Sequence, residues 1–410
     1  MSRLFLMLAL SILGTTIGCS GGTPTEPPAL LQTLPRPLTA AERQTIAASN
    51  GFAFALLREI DRTQPDANLF VSPLSVSLSL GMAMNGARGS TLDSMRTTLG
   101  VGGLSLSDIN TSYRDLIQLL QGLDSRIEFA IANSMWSRQD FPIEAAFTEA
   151  GRSYFDAEVR SLDFSSPTAV KTINDWIAGK TRNRITNMLS AIGDAEILFL
   201  INAIYFKGAW RDRFNSAETQ QAPFAGVGAE PGTAWLMHQL LEHPYYGGAD
   251  FEAVDLLYGN GAYSMTVLLP RNGKTVNDVV RGLDASGWAT LTRELQKAKV
   301  DLRLPRFRLE YFRGLKPDLV GLGMGIAFSD QADFSGISRA APLTLTRVDH
   351  KTFVEVNEEG TEAAAVTITG VGVTSLPQIV PFRVDRPFIF AIRERLSGTI
   401  LFLGKMTHLP

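Results

Sequence analysis

The 410-residue chain has one cysteine, Cys19, so no disulfide can close within it and the fold must rest on packing alone. Its four histidines, His238, His243, His350 and His408, form no HExxH pair, and no serine lies in GxSxG or SxxK. Metal-ligand spacing is not evident, so the reading contains no catalytic residue, no metal and no cofactor. Lys and Arg form no run able to track phosphates, and 38 of them against 41 Asp and Glu leave a net charge of -3, which argues against a nucleic-acid partner. The AGKT at Ala178–Thr181 has Asn174 where a phosphate loop needs its first glycine, and a helical pattern precedes it. Gly321, Gly323 and Gly325 miss a dinucleotide fingerprint because Ile326 stands at the third position, so they read as turn glycines. One further absence is local. From Ala363 to Phe382 there is no charged residue, and from Ala363 to Leu376 no proline. Natural proteins usually blunt a β-prone segment with such residues, because unguarded it pairs with other strands.

What is present describes a globular body. A hydrophobic share of 45% and a charged share of 19% over this length allow a large buried core. The start, MSRLFLMLALSILGTTIGCS, puts one Arg before an apolar run from Leu4 to Gly14 and small residues after it. That is a signal peptide over 1–18, too short to span a membrane as a helix. It resembles a bacterial lipoprotein signal in which Cys19 is lipidated, with Thr16 where that pattern prefers Leu; the alternative is ordinary cleavage that leaves a free thiol. Residues 19–38 are rich in Pro, Gly and Thr and read as a flexible tether. The expected location is outside the inner membrane, held to the outer membrane or cell surface by lipid, otherwise periplasmic or extracellular.

Beyond Leu38 the apolar spacing through Ile46, Phe52 and Leu56 predicts a helix over Thr39–Leu57, and a second helix opens at Ser72 with Pro73 in its first turn. IEFAIANSMWS, ILFLINAIYFKGAW, YSMTVLLP, VDLRLPRF and ILFLGKM read as strands, and TAVKTINDWIAGKTRNRI as an amphipathic helix. Helices dominate the first third and strands the last half, an α+β class in one domain over 39–410. Read with period 2, Thr361, Ala363, Ala365, Thr367 and Thr369 share one face while Glu362 points away. That face could slide between strands over a core without burying a charge.

Five separated stretches, NLFVSPLSVSLSLGMAMNGARGST, LFLINAIYFKGAW, VDLRLPRFRLE, VEVNEEGTEAAAVT and DRPFIFAIRERLSGTILFLGKM, resemble in order the segments shared by the serpin family. The resemblance implies three β-sheets, several helices and an exposed reactive-centre loop over about 360–382. It implies a suicide-substrate inhibitor whose partner is a serine protease held as a covalent acyl complex. The hinge would comprise Glu358, Gly360, Thr361, Glu362, Ala363, Ala364 and Ala365, whose small residues match the inhibitory pattern. Counted from Gly360 at the spacing usual in the family, the resemblance implies a reactive bond at Thr374–Ser375, with Val373–Thr374 and Ser375–Leu376 as the alternatives. With no Arg or Lys in the loop, trypsin-like enzymes have nothing to grip, and Val371, Val373 and Thr374 suit elastase-like or subtilisin-like pockets. Leu376 leaves chymotrypsin-like or cysteine proteases as a weaker option, and a non-inhibitory binding or chaperone-like serpin is the other class. If about 14 residues insert at ~3.3 Å each, the acyl bond travels on the order of 45 Å. The family places a polar cluster beneath the parting sheet at Ser72, Ser75, Asn202 and His350, with the histidine bonded to Asn and Ser. At the sheet's top it places Trp210, Glu358 and a basic partner at Arg306. A monomer is expected, but an accessible sheet and an uncharged strand are complementary between copies too, which permits polymerisation.

Overall fold

The computed structural model describes residues 29–228, 232–361 and 378–409. In chain order these form α1 (Ala40–Thr63), β1 (Leu69–Val71), α2 (Pro73–Met84), α3 (Gly89–Thr98), α4 (Leu106–Gly122), β2 (Glu128–Arg138), α5 (Ala145–Phe155), β3 (Ala157–Leu162), α6 (Ala169–Lys180) and β4 (Leu198–Ala209). Then follow β5 (Gln220–Phe224), β6 (Gly232–Gly247), β7 (Phe251–Tyr258), β8 (Tyr263–Pro270), α7 (Val276–Gly282), α8 (Ala285–Glu294), β9 (Gln296–Pro305) and β10 (Phe307–Gly314). The chain continues through α9 (Lys316–Leu319), β11 (Asp349–Val356), β12 (Gly360–Thr361), β13 (Ile379–Arg383), β14 (Phe388–Glu394) and β15 (Ile400–Met406).

Side-chain chemistry starts the helices. The Thr39 hydroxyl accepts the Glu42 N–H at 3.1 Å, and the Glu42 carboxylate accepts the Thr39 N–H at 2.7 Å, a reciprocal cap that fixes where α1 begins. The helix outruns the predicted end at Leu57 because Ile60 and Asp61 are also buried, Asp61 against the Lys405 ammonium. Ser72 caps α2 through the Ser75 N–H at 3.3 Å, and Pro73 follows where no N–H is needed. The helix α6 stops at Lys180, short of the amphipathic stretch read from sequence, where Arg182 and Asn183 adopt positive φ. AGKT thus sits at a helix C-terminus, the wrong end to bind phosphate.

The described residues form three hydrogen-bonded sheets. The largest, of nine strands, runs β1-β15-β14-β8-β7-β6-β9-β13 with β5 on β6. A four-stranded sheet runs β12-β4-β2-β3, and β10 pairs with β11 in a third. VDLRLPRF, read as one strand, is divided between two sheets. Pro305 has no N–H to extend the ladder and ends β9, Arg306 donates its N–H to the Trp235 carbonyl at 2.8 Å, and Phe307 opens β10.

The four-stranded sheet is covered on both faces, as its alternation requires. Phe199, Ile201 and Ala203 of β4 join Trp136 of β2 and Ile173 and Ile177 of α6 in one cluster, while Ile204 and Phe206 enter the main core that contains α2. Among the described residues no ladder joins β4 to β11.

Two expectations change at the edges. Residues 29–38, read as the end of a tether, are docked on the body. The Leu31 N–H donates to the Asn260 carbonyl at 2.8 Å, Arg395 Nη2 donates to the Leu31 carbonyl at 2.6 Å, and Leu31, Leu34 and Leu38 pack on the core. Prolines exclude a regular element there, but three leucines supply apolar surface to bury. The loop expected over 360–382 is also narrower, because Gly360 and Thr361 are buried in β12 and Ile379–Phe382 belong to β13, parallel to β9. The signal peptide, Cys19, the hinge residues Glu362, Ala363, Ala364 and Ala365, and the bond Thr374–Ser375 lie outside the described residues.

Candidate functional site

The seam between β4 and β11 begins low in the molecule, over α2. Period 2 turns Asn202 toward the helix, while its neighbours Ile201 and Ala203 face α6, and the same alternation turns His350 and Thr352 of β11 inward. Ser72, Ser75, Asn202 and His350 are all buried. The Ser72 N–H donates to His350 Nε2 at 2.9 Å, and the Ser72 hydroxyl donates to the Leu401 carbonyl at 2.7 Å. His350 Nε2 is therefore an acceptor, and the ring is neutral with its proton on Nδ1. Burial pushes its pKa down to about 4, which keeps the acceptor available at neutral pH.

The predicted cluster is thus brought together, but with different partners. The expected His350–Asn202 bond is not among those of the described residues. The Asn202 amide instead donates to Asn133 Oδ1 at 2.7 Å, and the Ser75 hydroxyl reaches the Asn202 carbonyl at 3.5 Å. Asn133, which also donates to the Phe155 carbonyl at 2.6 Å, was missed, although an Asn inside the apolar strand IEFAIANSMWS was a readable signal. Between the halves lies a cavity of about 320 Å³ lined by Ser75, Leu80, Leu200, Asn202, Leu345 and His350. It opens where a further strand between β4 and β11 would run.

At the top of the seam the chain leaves β11, turns at Asn357–Glu359 and returns against β4. Gly360 pairs with Ala209 and Thr361 with Gly208, antiparallel. Gly360 has φ +140°, and a Cβ there would stand 2.2 Å from the Gly208 carbonyl oxygen and 2.8 Å from the Trp210 nitrogen. Only glycine fits this seat. Trp210 stacks on Tyr258 with ring centroids 4.4 Å apart at 13°, and its indole N–H donates to the Asn357 carbonyl at 2.9 Å. The Tyr258 and Thr361 hydroxyls are 2.8 Å apart.

Glu358 is buried between these contacts. Desolvation pushes its carboxyl up, but hydrogen bonds from Arg306 and Thr219, with the Arg306 charge, outweigh that and hold it below the usual range. Arg306 Nε donates at 2.6 Å, and the Thr219 hydroxyl donates to the same oxygen. The Phe214 N–H donates to the Glu358 carbonyl at 3.1 Å and the Trp210 N–H to the Glu359 carbonyl at 2.9 Å. Glu358, Arg306 and Trp210 are thus found together. Thr219, Tyr258 and Phe214 were missed, and a threonine in a polar surface stretch carries no signal of its partner.

The comparisons agree with this architecture. Residues 47–409 match the family described as Serpin (serine protease inhibitor). Iripin-1 of Ixodes ricinus is 35% identical over 88% of this chain and 94% of its own. The leukocyte elastase inhibitor of Sus scrofa is 33% identical over 89% of this chain and 99% of its own. Human thyroxine-binding globulin complexed with thyroxine superposes with a TM-score of 0.82 at 28% identity, over 90% of this chain and 100% of that one. The chain belongs to the serpin family, an α+β fold whose members are generally protease inhibitors rather than catalytic enzymes. Many serpins inhibit serine proteases, and some are not inhibitors.

Proposed function

We propose that this chain is a suicide-substrate inhibitor of elastase-like or subtilisin-like serine proteases. The observation that carries the reading is the seat of Gly360 and Thr361, already paired with β4 at the head of a seam that no ladder closes among the described residues. The segment that follows in sequence is small and uncharged from Ala363 onward, so it could fill the seam without desolvating a charge.

In the proposed reaction the protease's serine oxygen attacks the Thr374 carbonyl carbon. The Thr374–Ser375 amide breaks, the Ser375 nitrogen leaves as an amine with the proton relayed by the protease, and the Thr374 acyl group stays on the protease as an ester. The freed segment then runs down between β4 and β11, carrying the ester on the order of 45 Å if about 14 residues insert. Each new ladder bond contributes only about 0.5–1.5 kcal/mol net, but a whole strand of them makes the step one-way. We place the protein outside the inner membrane, held by lipid on Cys19, and mass spectrometry of the membrane fraction tests that attachment.

The body from residue 29 onward, incubated with pancreatic elastase and with subtilisin, is expected to give a complex that survives denaturing electrophoresis and a C-terminal fragment starting at Ser375. Cleavage with no complex, and no rise in melting temperature of the cut protein, overturns the reading in favour of a non-inhibitory binding role.

A further inference from the structure

The docked segment 29–38 is fastened to one particular turn. The Leu31 N–H donates to the Asn260 carbonyl at 2.8 Å. The Arg395 guanidinium joins the two pieces of chain, since Nη2 donates to the Leu31 carbonyl at 2.6 Å and Nε donates to the Gly261 carbonyl at 2.8 Å. Leu30 lies over the same glycine, which has φ +78°, and a Cβ there would strike Leu30 Cδ1. The segment is thus seated on the turn 259–262 between β7 and β8, with Leu31, Leu34 and Leu38 on the core.

The other side of that turn carries the hinge seat. The Gly259 N–H donates to the Ala209 carbonyl at 3.0 Å, and Tyr258 forms a bridge with Trp210. Ala209 is the residue that pairs with Gly360, Trp210 stacks on Tyr258, and the Tyr258 hydroxyl meets that of Thr361. Within the turn the Gly261 N–H donates to the Tyr258 carbonyl at 2.7 Å, which keeps its two sides together. A continuous series therefore runs from Leu31 to Asn260, from Gly259 to Ala209 and from Ala209 to Gly360.

The turn has a further support. Asp124 Oδ2 accepts the Asn260 N–H at 2.7 Å, and the Leu123 carbonyl, just past α4, accepts from the Asn260 side-chain amide at 2.9 Å. The segment 29–38 tightens a turn that is also held from α4, so its effect at the hinge is modest in scale.

We propose that residues 29–38 are a clasp on the hinge seat. Docked, they hold the turn 259–262 against Ala209 and Trp210; peeled away, they let the seat of Gly360 and Thr361 open more often. The coupling is reciprocal, so opening of the seat also loosens the segment. The inference concerns the seat alone and depends neither on lipid at Cys19 nor on which protease, if any, the loop engages.

Hydrogen exchange in the full chain reads each link: the Leu31 amide reports docking, the Gly259 amide the turn, and the Trp210 amide, bonded to the Glu359 carbonyl, the hinge. The double variant Leu31→Ser/Leu34→Ser removes two apolar anchors and leaves every group of the turn in place. Exchange is expected to rise about tenfold at Leu31 and about threefold at Gly259 and Trp210, while the Phe390 and Leu403 amides of the main core stay unchanged. Leu30→Ala, a milder change at the contact with Gly261, is expected to give a smaller version of the same pattern. Unchanged exchange at Leu31 overturns docking through the leucines, and a rise confined to Leu31 overturns the hold on the hinge; either result overturns the clasp. An equal rise at the core amides, the mark of general loosening, overturns it as well. Because no protease is present, a failed clasp and a failed inhibitory reading give separate results.

Discussion

The pair β14–β15 and the pair β4–β11 are both central, yet they are held in opposite ways. Every residue of β14 and β15 is buried, and each strand has a ladder on both sides. Phe390 stacks near Phe70 and Phe307, and Gly404 is glycine because a Cβ would stand 2.3 Å from the Phe390 ring. Across β4 and β11 there is instead a cavity, a polar joint at the bottom and a gripped carboxylate at the top. Apolar packing gains steeply with fit and tolerates no slack. Directional polar contacts can break and re-form while their groups find other partners. The molecule thus concentrates apolar packing in the nine-stranded sheet and directional polar contacts at the seam between the other two.

Substitutions on each side sharpen this contrast. Phe390→Ala is expected to cost about 3–5 kcal/mol in denaturant-induced unfolding, since it opens a cavity in a region with no room to relax. If the loss is under about 1 kcal/mol, the nine-stranded sheet is not the rigid partner. Gly360→Val should cost about 2–3 kcal/mol locally, from strain at positive φ and the clash with Gly208 and Trp210. Faster exchange at the Trp210 amide with core protection intact would be its signature. Glu358→Lys, which replaces a buried carboxylate with a cation beside the partly exposed Arg306, is expected to cost on the order of 2–3 kcal/mol locally. Oligomers on size-exclusion chromatography are the expected readout, and a monomer that keeps its hinge protection would contradict it.

Acid should attack the joint next. The folded pKa of His350, about 4, lies below the ordinary value of 6.5. Its contribution is fully present above about pH 6.5 and is lost as pH falls toward 4, at up to about 1.4 kcal/mol per pH unit. Burial lowers His243 to about 4 as well, so the wild type carries both slopes and His350→Ala should remove one of them. Thermal melts between pH 7 and pH 5 measure this as roughly 2 kcal/mol for His350. An unchanged slope, together with an unchanged rate of loop insertion, would count against the joint.

Much of the site was legible through the family resemblance. Glu358, Gly360, Trp210 and Arg306 stand out in recognisable stretches, and the structure brings them into one contact network. Thr219 was not legible, because its role is a single bond made 139 residues away. Likewise Pro305 and the shift of apolar phase from Leu304 to Phe307 mark a break inside VDLRLPRF, but they do not reveal that the chain changes sheets at Arg306.

Pattern and composition by themselves determined the α+β class, the caps of α1 and α2, the faces of β4 and the uncharged run after Glu362, because these follow from spacing along one chain. Tertiary structure alone decided that residues 29–38 dock, that Asn202 bonds to Asn133 rather than His350, and that no ladder joins β4 to β11 among the described residues. Those outcomes depend on which buried polar groups find partners across the fold, and such choices are settled by distances between segments far apart in sequence.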